Sequence, residues 1–456
     1  MPPGAERHYP AGHVLYRRLK RHYPRIVRAE GCWLYDDGGK RYLDACSGAL
    51  VSNLGHGNAE LAKALGEQAA RLGYVSGMVF THDPVEELAA ELAGLSAPGL
   101  EKTLFMCNGG DAVEAALKIS RQFWAESGRP EKQRIVALAP SYHGNTLLAL
   151  SVLARPAYRE QFRGWLVEVE SAPAPYAYHC PCRGEAEDCP TCDGSAVEAA
   201  ILRAGPENVA AFIAEPVGGV STGATVPRPD YWQRIREICD RHEVHFVADE
   251  VLVGAGRTGT WSALEPYGVA PDFQIFGKGI AGGYAPLSAM VTSRRVIDVL
   301  AAGSGAPLHN QTFSQFPISC AAGLATVRQL KAEGLIERCA RVGAVLQQQL
   351  AALLEHPNVG DVRGRGLLTG VEFVADKSSH KPFDRRLRMV EAFAEAAQAA
   401  GLVVWPNAGQ ADGTNGDLVL IGPPFTITED EISELLRLFR TALDTAIESI
   451  ANGTNG

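Results

Sequence analysis

From about residue 103 to residue 291 short apolar runs alternate with longer amphipathic ones. The short runs, at 103–106, 134–138, Val209–Ala214, 244–248, Phe273–Phe276 and 287–291, predict strands. The longer runs, including 112–126 and Tyr231–Arg241, space apolar residues three and four apart and predict helices. This alternation predicts an α/β domain with a mainly parallel sheet and ligands at the carboxyl ends of its strands. No internal repeat is present.

The flanks read differently. Residues 1 to about 64 form an irregular arm with a short hairpin at 32–43, whose DDGG turn joins two strand-like runs, and a glycine-rich loop at 47–58. Helical spacing returns from Ala59 and again at 84–94. After Ser319 come helical stretches at 320–333 and 340–354. An α+β region follows, with strand-like runs at 363–373, 402–405 and 418–421 and a last helix from Thr428. We expect a part of a small domain over 1–64, a large domain over 65–325, the rest of the small domain over 326–456, and a frayed tail at 452–456.

Composition narrows the class. With 456 residues, 46% hydrophobic and 21% charged, the chain is an ordinary globular protein of more than one domain. A net charge of −9 argues against nucleic acid, and the basic stretch YRRLKRHYPRIVR from Tyr16 reads as a solvated or subunit-contacting segment. No apolar run reaches membrane-spanning length and no signal peptide opens the chain, so we expect a cytoplasmic protein with reduced cysteines and no membrane partner. The sequon at Asn452 is then idle.

Two strand ends carry chemistry. The run at 244–248 delivers Asp249 and Glu250; the run Phe273–Phe276 delivers Lys278 between Gly277 and Gly279. A buried lysine is costly as a lone ammonium. It is not costly as a covalent imine anchor, and flanking glycines let a large group approach. A nearby aspartate suits the protonated ring nitrogen of pyridoxal phosphate (PLP), a cofactor that uses both groups. The bland alternative is a surface lysine and a helix cap.

Other stretches could serve the same site. Asn108-Gly109-Gly110-Asp111 lies between a strand and a helix, where backbone N–H groups bind phosphate, or it is a plain capped turn. Tyr142, beside His143 and Gly144, could stack on a flat ring. Glu215 closes another strand. Gly254-Ala-Gly-Arg-Thr-Gly259 is formally GxGxxG, but no helix pattern follows it and the acidic residue expected about twenty positions on is missing, so a dinucleotide site is rejected. Cys180, Cys182, Cys189 and Cys192 have compact zinc-like spacing in a polar, helix-free stretch; the alternative is four reduced thiols in an exposed loop, and no metal ligand is assigned.

Taken in order, NGGDAVEAALK, YHGNTLLAL, AEPVGG, ADEVLVGAGRTG, FGKGIAGGYAPLSA and LHNQTFSQFPISCAAGLA resemble the class III PLP-dependent aminotransferases of fold type I, over nearly the whole chain. The resemblance implies that Lys278 forms the internal aldimine and shuttles the proton, that Asp249 pairs with the ring nitrogen, and that Val251 and Tyr142 cover the two ring faces. It further implies phosphate binding by Gly109 and Gly110, completion of that site by Thr312 of a second subunit in a homodimer, and a site carboxylate at Glu215. The substrates would be a small-molecule amine or amino acid donor and a keto acid or aldehyde acceptor.

Three positions depart from the family pattern. Gly110 stands where a serine or threonine is usual. Leu420, three residues before Pro423-Pro424, stands where members that grip an α-carboxylate carry arginine. Leu50 replaces a frequent tryptophan. The Leu420 departure points to the amine–pyruvate branch; the tryptophan that Leu50 replaces is frequent in that same branch, so Leu50 points instead to a roomier or less aromatic pocket. A PLP-dependent decarboxylase or aminomutase is the rival within the fold, and a non-catalytic zinc- or nucleotide-binding protein the rival outside it.

Overall fold

The structure is a computed structural model that describes residues 13–19, 21, 23–180, 182 and 189–453. The start of the chain and the tail from residue 454 on, with the sequon's Thr454, lie outside the described residues.

Strands β1 (Ile26–Glu30), β2 (Trp33–Asp36) and β3 (Arg41–Asp44) form the N-terminal meander. The central sheet contains β4 (Leu100–Met106), β5 (Arg134–Ala139), β6 (Glu170–Pro173), β7 (Val209–Ala214), β8 (His245–Asp249), β9 (Phe273–Phe276) and β10 (Ser288–Ser293), in the order β4-β10-β9-β8-β7-β5-β6. Strand β10 runs antiparallel to both neighbours; the pairs from β9 through β6 are parallel. Every residue of β7, β8 and β9 is buried, as strands covered on both faces require.

Alternation along the strands divides the interior into two layers. Ala211, Ile213, Val247 and Ile275 pack under helix Gly109–Glu126, whereas Phe212, Ala214, Phe246 and Ala248 pack under helices Ser195–Ala204 and Tyr231–Arg241.

The small domain draws on both ends of the chain. Strands β11 (Val359–Gly364), β12 (Thr369–Phe373), β13 (Leu402–Val403), β14 (Trp405–Ala408) and β15 (Asp417–Ile421) complete the strand set. Strand β13 adds in parallel to β3, while β11-β12-β15-β14 form a separate sheet. Helix Glu429–Ala451 starts with a reciprocal capping box between Thr428 and Glu431, as the expected last helix does.

Several expected elements differ in extent. The run at 363–373 is a hairpin corner rather than one strand: β11 and β12 pair across a turn at Gly366, whose φ is +58°. The run at 402–405 is divided between two sheets. The helices at 320–333 and 340–354 are Pro317–Ala332 and Leu335–Ala351, separated by Gly334 at φ +58°. The glycine-rich loop holds a short helical turn, Ser47–Leu50, interrupted at Gly48.

Candidate active site

Parallel registry aligns the strand ends. Ala214 lies opposite Ala248, and Asp249 opposite Ile275, so the chain leaves β7, β8 and β9 at one level and delivers Glu215, Asp249 and Lys278 side by side. The loop after β5 brings Tyr142 to the same edge. Together with Gly109, Gly110, Val251 and the 143–146 loop, these residues line one cavity of about 470 Å³. Seven of the eight sequence-derived site residues therefore meet. The eighth, Thr312, lines a different pocket with Tyr74, Gly77 and Gln315.

The floor of the cavity is tightly built. A Cβ on Gly109 would stand 2.7 Å from Val251 Cγ1, and one on Gly144, at φ +127°, would stand 2.8 Å from the Gly110 Cα. Both glycines are demanded by this close approach. Asn108 accepts the Asp111 N–H at 3.1 Å and so caps helix Gly109–Glu126, whose first N–H groups point out of the helix toward the cavity floor. Lys278 itself has φ +46°, a left-handed conformation that a non-glycine side chain adopts at a cost.

Charges in the cleft are coupled. Burial pulls the Lys278 ammonium below the ordinary lysine range; Asp249 and Glu215 oppose this and Arg257 adds to it. Glu215, half-buried in the wall, accepts the backbone N–H groups of Tyr142 and Gly219, each at 3.1 Å. Burial drives its carboxyl up to about 7, with His143 opposing and Asp249 reinforcing. Asp249 accepts the Val251 N–H at 3.1 Å and is hydrogen-bonded to His143 Nδ1 at 2.7 Å. Burial pulls the His143 pKa down, but the bond and charge of Asp249 outweigh it and leave the ring above its ordinary value.

Two residues of this surround escaped the sequence reading. His143 fixes Asp249 from behind, a contact across 106 positions that only the parallel registry creates. Arg257, inside the rejected GxGxxG, is buried and donates to the carbonyls of Leu367 at 3.0 Å and Pro423 at 2.6 Å. Its motif is thus a turn that ties the two domains, with Gly256 against Phe425 and Gly259 against Ala340. No helix follows it. Glu250 turns away from the cavity and is held by Ser262 Oγ and the Ala263 N–H, each at 2.6 Å, and by Gln274 at 2.8 Å.

Leu420 and Leu50 are both buried, in one apolar cluster with Val217, Val220, Leu252 and Leu368 that adjoins Tyr142 and Trp405. Val220, Leu252 and Tyr142 also line the cavity. Leu420, where the resemblance leads to an arginine in members that grip an α-carboxylate, is here a buried member of that apolar cluster.

No helix among the described residues is long and apolar enough to cross a membrane.

Comparison with known proteins identifies the family. The class-III aminotransferase family profile matches residues 16–443. An uncharacterized aminotransferase, YodT, of Bacillus subtilis is 36% identical over 430 residues, covering 94% of this chain and 97% of its own. The putrescine–pyruvate aminotransferase of Pseudomonas aeruginosa is 34% identical over 438 residues, covering 94% of this chain and 92% of its own. Among solved structures, an (S)-enantioselective omega-transaminase from Thermomicrobium roseum superposes with a TM-score of 0.87 at 35% identity, with 96% of each chain covered. An amine transaminase from an uncultivated Pseudomonas species, solved in its PLP-bound form, superposes with a TM-score of 0.85 at 33% identity, covering 96% of this chain and 98% of its own. The chain belongs to the class-III aminotransferases: it is a fold type I enzyme that uses pyridoxal phosphate to move an amino group between small-molecule amines and carbonyl compounds.

Proposed function

We propose that the cleft between the ends of β5, β7, β8 and β9 is the PLP site, with Lys278 as covalent anchor and proton carrier. The observation that carries this reading is the convergence of Gly109, Gly110, Tyr142, Glu215, Asp249, Val251 and Lys278 on one cavity from separate strand ends. Two buried polar atoms on its lining residues, Thr146 Oγ1 and His143 Nε2, have no hydrogen-bond partner in the protein, which fits a polar guest. Helix Gly109–Glu126 presents its N-terminal N–H groups and positive dipole end to a phosphate. When bound, the cofactor supplies an electron sink for the carbon that loses its proton.

The protein's own part follows from the geometry. Asp249, steadied by His143, would hold the ring nitrogen and keep it protonated. Val251 and Tyr142, both on the cavity, would confine the ring. Lys278, whose ammonium burial destabilises, would hold the cofactor and would serve as the base for the proton on the donor's Cα. Glu215 holds Tyr142 by its backbone N–H and so fixes the wall that would hold the ring.

The active unit in this reading is a homodimer, with Thr312 of the partner subunit completing the phosphate site. Thr312 is exposed and outside its own chain's cavity. It lies in a surface rich in exposed apolar side chains: Met78 at 81%, Val79 at 70% and Phe80 at 62% exposure, and Phe313 beside Tyr74. A surface of that kind marks an interface. The division into 1–64, 65–325 and 326–456 and a cytoplasmic location belong to the same proposal.

The amino donor in this reading is an amine without an α-carboxylate, and the acceptor is pyruvate or a similar keto acid. The buried Leu50 and Leu420, packed in one apolar cluster with the cavity residues Val220 and Leu252, support the first half. The second half draws on the relative named for putrescine and pyruvate. The test is the absorption spectrum of the purified protein titrated with simple amines, diamines and α-amino acids, then with pyruvate. A visible band that bleaches with amines and returns with pyruvate bears the reading out. Preferential bleaching by α-amino acids would overturn the donor class, and no visible band after PLP is added would overturn the site.

A further inference from the structure

The four cysteines that the transamination site leaves unused do not point apart into solvent. Cys180 and Cys192 are buried, and all four Sγ atoms of Cys180, Cys182, Cys189 and Cys192 lie within 4.8 Å of one another. Cys180 Sγ is 3.2 Å from Cys182, 3.3 Å from Cys189 and 3.6 Å from Cys192; Cys182 and Cys192 are 3.4 Å apart. A tetrahedral zinc with Zn–S bonds near 2.3 Å has S···S edges of about 3.8 Å. A disulfide requires about 2.05 Å. The observed spacings are those of sulfurs around a shared centre rather than of bonded pairs. The second half of the loop is shaped for this: the N–H groups of Cys192 and Asp193 both return to the Cys189 carbonyl at 2.9 Å, a tight turn that sets Cys189 and Cys192 on one side.

We propose that Cys180, Cys182, Cys189 and Cys192 bind one zinc ion as a structural tetrathiolate that braces the two domains against each other. Each thiol gives its proton to solvent as its sulfur takes the metal, so binding is a proton-releasing exchange with no redox step. All four positions are filled by protein sulfur, which leaves no open place for a substrate and assigns the ion to structure. Soft thiolate ligands in a tetrahedral set select zinc among the common divalent ions.

The place of the cluster gives it a task. On its N-terminal side, Tyr176 donates to Glu372 at 2.6 Å, His179 meets the same carboxylate at 2.5 Å, and the Tyr178 ring stacks on His380 at 4.3 Å, both partners belonging to the small domain. On its C-terminal side the chain passes through Gly194, packed against Ile235, into helix Ser195–Ala204 of the large domain. The metal would pin the docked segment to that helix across a loop that has few apolar side chains of its own.

The experiment takes the full-length enzyme, expressed with zinc available and purified without chelator, and measures metal by mass spectrometry beside PLP by absorbance. The expected result is one zinc per chain, released when an organomercurial titrates the thiols and detected with a zinc-sensitive dye. A Cys182→Ser, Cys189→Ser double variant is expected to lose the zinc and to melt at a lower temperature while retaining the PLP band; Cys182→Ser alone, at a half-buried position, provides the milder form of the same test. Zinc-free wild type, iron in place of zinc, disulfides found by non-reducing mass spectrometry, or a double variant that keeps its zinc would each overturn the proposal. The PLP band reports separately on the active site, so either reading can fail without the other.

Discussion

Two shielded carboxylates, Glu215 in the cleft and Glu372 at the seam between the domains, behave in opposite ways. Glu372 is the more buried, at 1% exposure, yet it has the lower pKa. Burial pushes it up, but the Arg363 charge, the bond and charge of His179 and the Tyr176 hydroxyl outweigh burial and hold it at about 2. Glu215 meets two backbone N–H groups and rises to about 7. Partners, not depth, set the sign. The seam is electrically closed, whereas the cleft keeps Glu215, Lys278 and unpartnered polar atoms facing a cavity. That imbalance is characteristic of a site built for a guest.

The largest effects should come from breaking the cleft. Lys278→Ala is expected to lower transamination by roughly 10²–10⁴-fold, the range for a lost acid–base group, and to abolish the visible band that reports covalent attachment, while the melting profile of the apoprotein stays close to wild type. Stopped-flow half-reactions check the first part and absorbance the second. Near wild-type rates would remove Lys278 from its role.

The seam should respond in the reverse manner. Arg363→Ala leaves Glu372 buried with the contact to His179 but without its arginine, and leaves Tyr176 and the Thr222 carbonyl each short of a partner. Stripping one member from a buried ion pair costs about 3–5 kcal/mol. Urea unfolding should show that loss, while the rate per PLP-loaded subunit changes little. A variant that unfolds normally but is inactive would place Arg363 in the catalytic machinery instead.

Acidity separates the regions more gently. A carboxyl raised in the folded state stabilises the fold below its ordinary pKa, and that contribution disappears as pH rises through about 7. A carboxyl held at about 2 does the opposite: its contribution is present above the ordinary range and is lost as pH falls toward 2. Apoprotein stability plotted against pH should therefore lose its downward slope between about 4.5 and 7 in Glu215→Gln, by on the order of 1–3 kcal/mol. Glu372→Gln should instead flatten the acid limb. Unfolding curves at a series of pH values read both, and identical curves for the two variants would erase the distinction.

The same contrast explains what could be read from the chain. Strands β7 and β9 were legible to the residue because both faces are covered, so no polar position interrupts the run. Strand β6, ESAP, was not legible: it is short, partly exposed, and carries a proline, which hides its strand character. Lys278 and Asp249 could be recognised because a charge at the end of an apolar run is anomalous in itself. The partners that tune them could not. His143 reaches Asp249, and Arg363 reaches Glu372 and Tyr176, through folding alone, and nothing in their neighbours along the chain announces it. The four cysteines fall between these cases: their spacing was visible, but only the folded loop shows that the sulfurs converge.

A comparable effect, confined to cofactor affinity, is expected from the missing hydroxyl at Gly110. Thr146 precedes the short helix Leu147–Val152 but does not cap it with its side chain, and its Oγ1 is buried without a partner. A Cβ added to Gly110 would lie 3.6 Å from the Thr146 Cγ2 and 3.3 Å from Asn108 Oδ1, so the two positions share one corner of the cavity, where the proposed site puts the phosphate. Thr146 therefore stands where it can supply the hydroxyl that Gly110 lacks. Thr146→Val keeps the shape and removes the oxygen. In the apoprotein that should be neutral or slightly stabilising, because a buried hydroxyl without a partner is a cost. In the holoenzyme it should loosen PLP by about 1.5–3 kcal/mol, the worth of a hydrogen bond to a charged group. Gly110→Ser should return part of that loss in the Thr146→Val background and add less in the wild type, since Asn108 must yield a few tenths of an ångström while still capping Asp111. PLP dissociation constants for the four proteins give the coupling directly. If the serine helps equally in both backgrounds, the two hydroxyls do not substitute for one another, and Thr146 has no part in holding the phosphate.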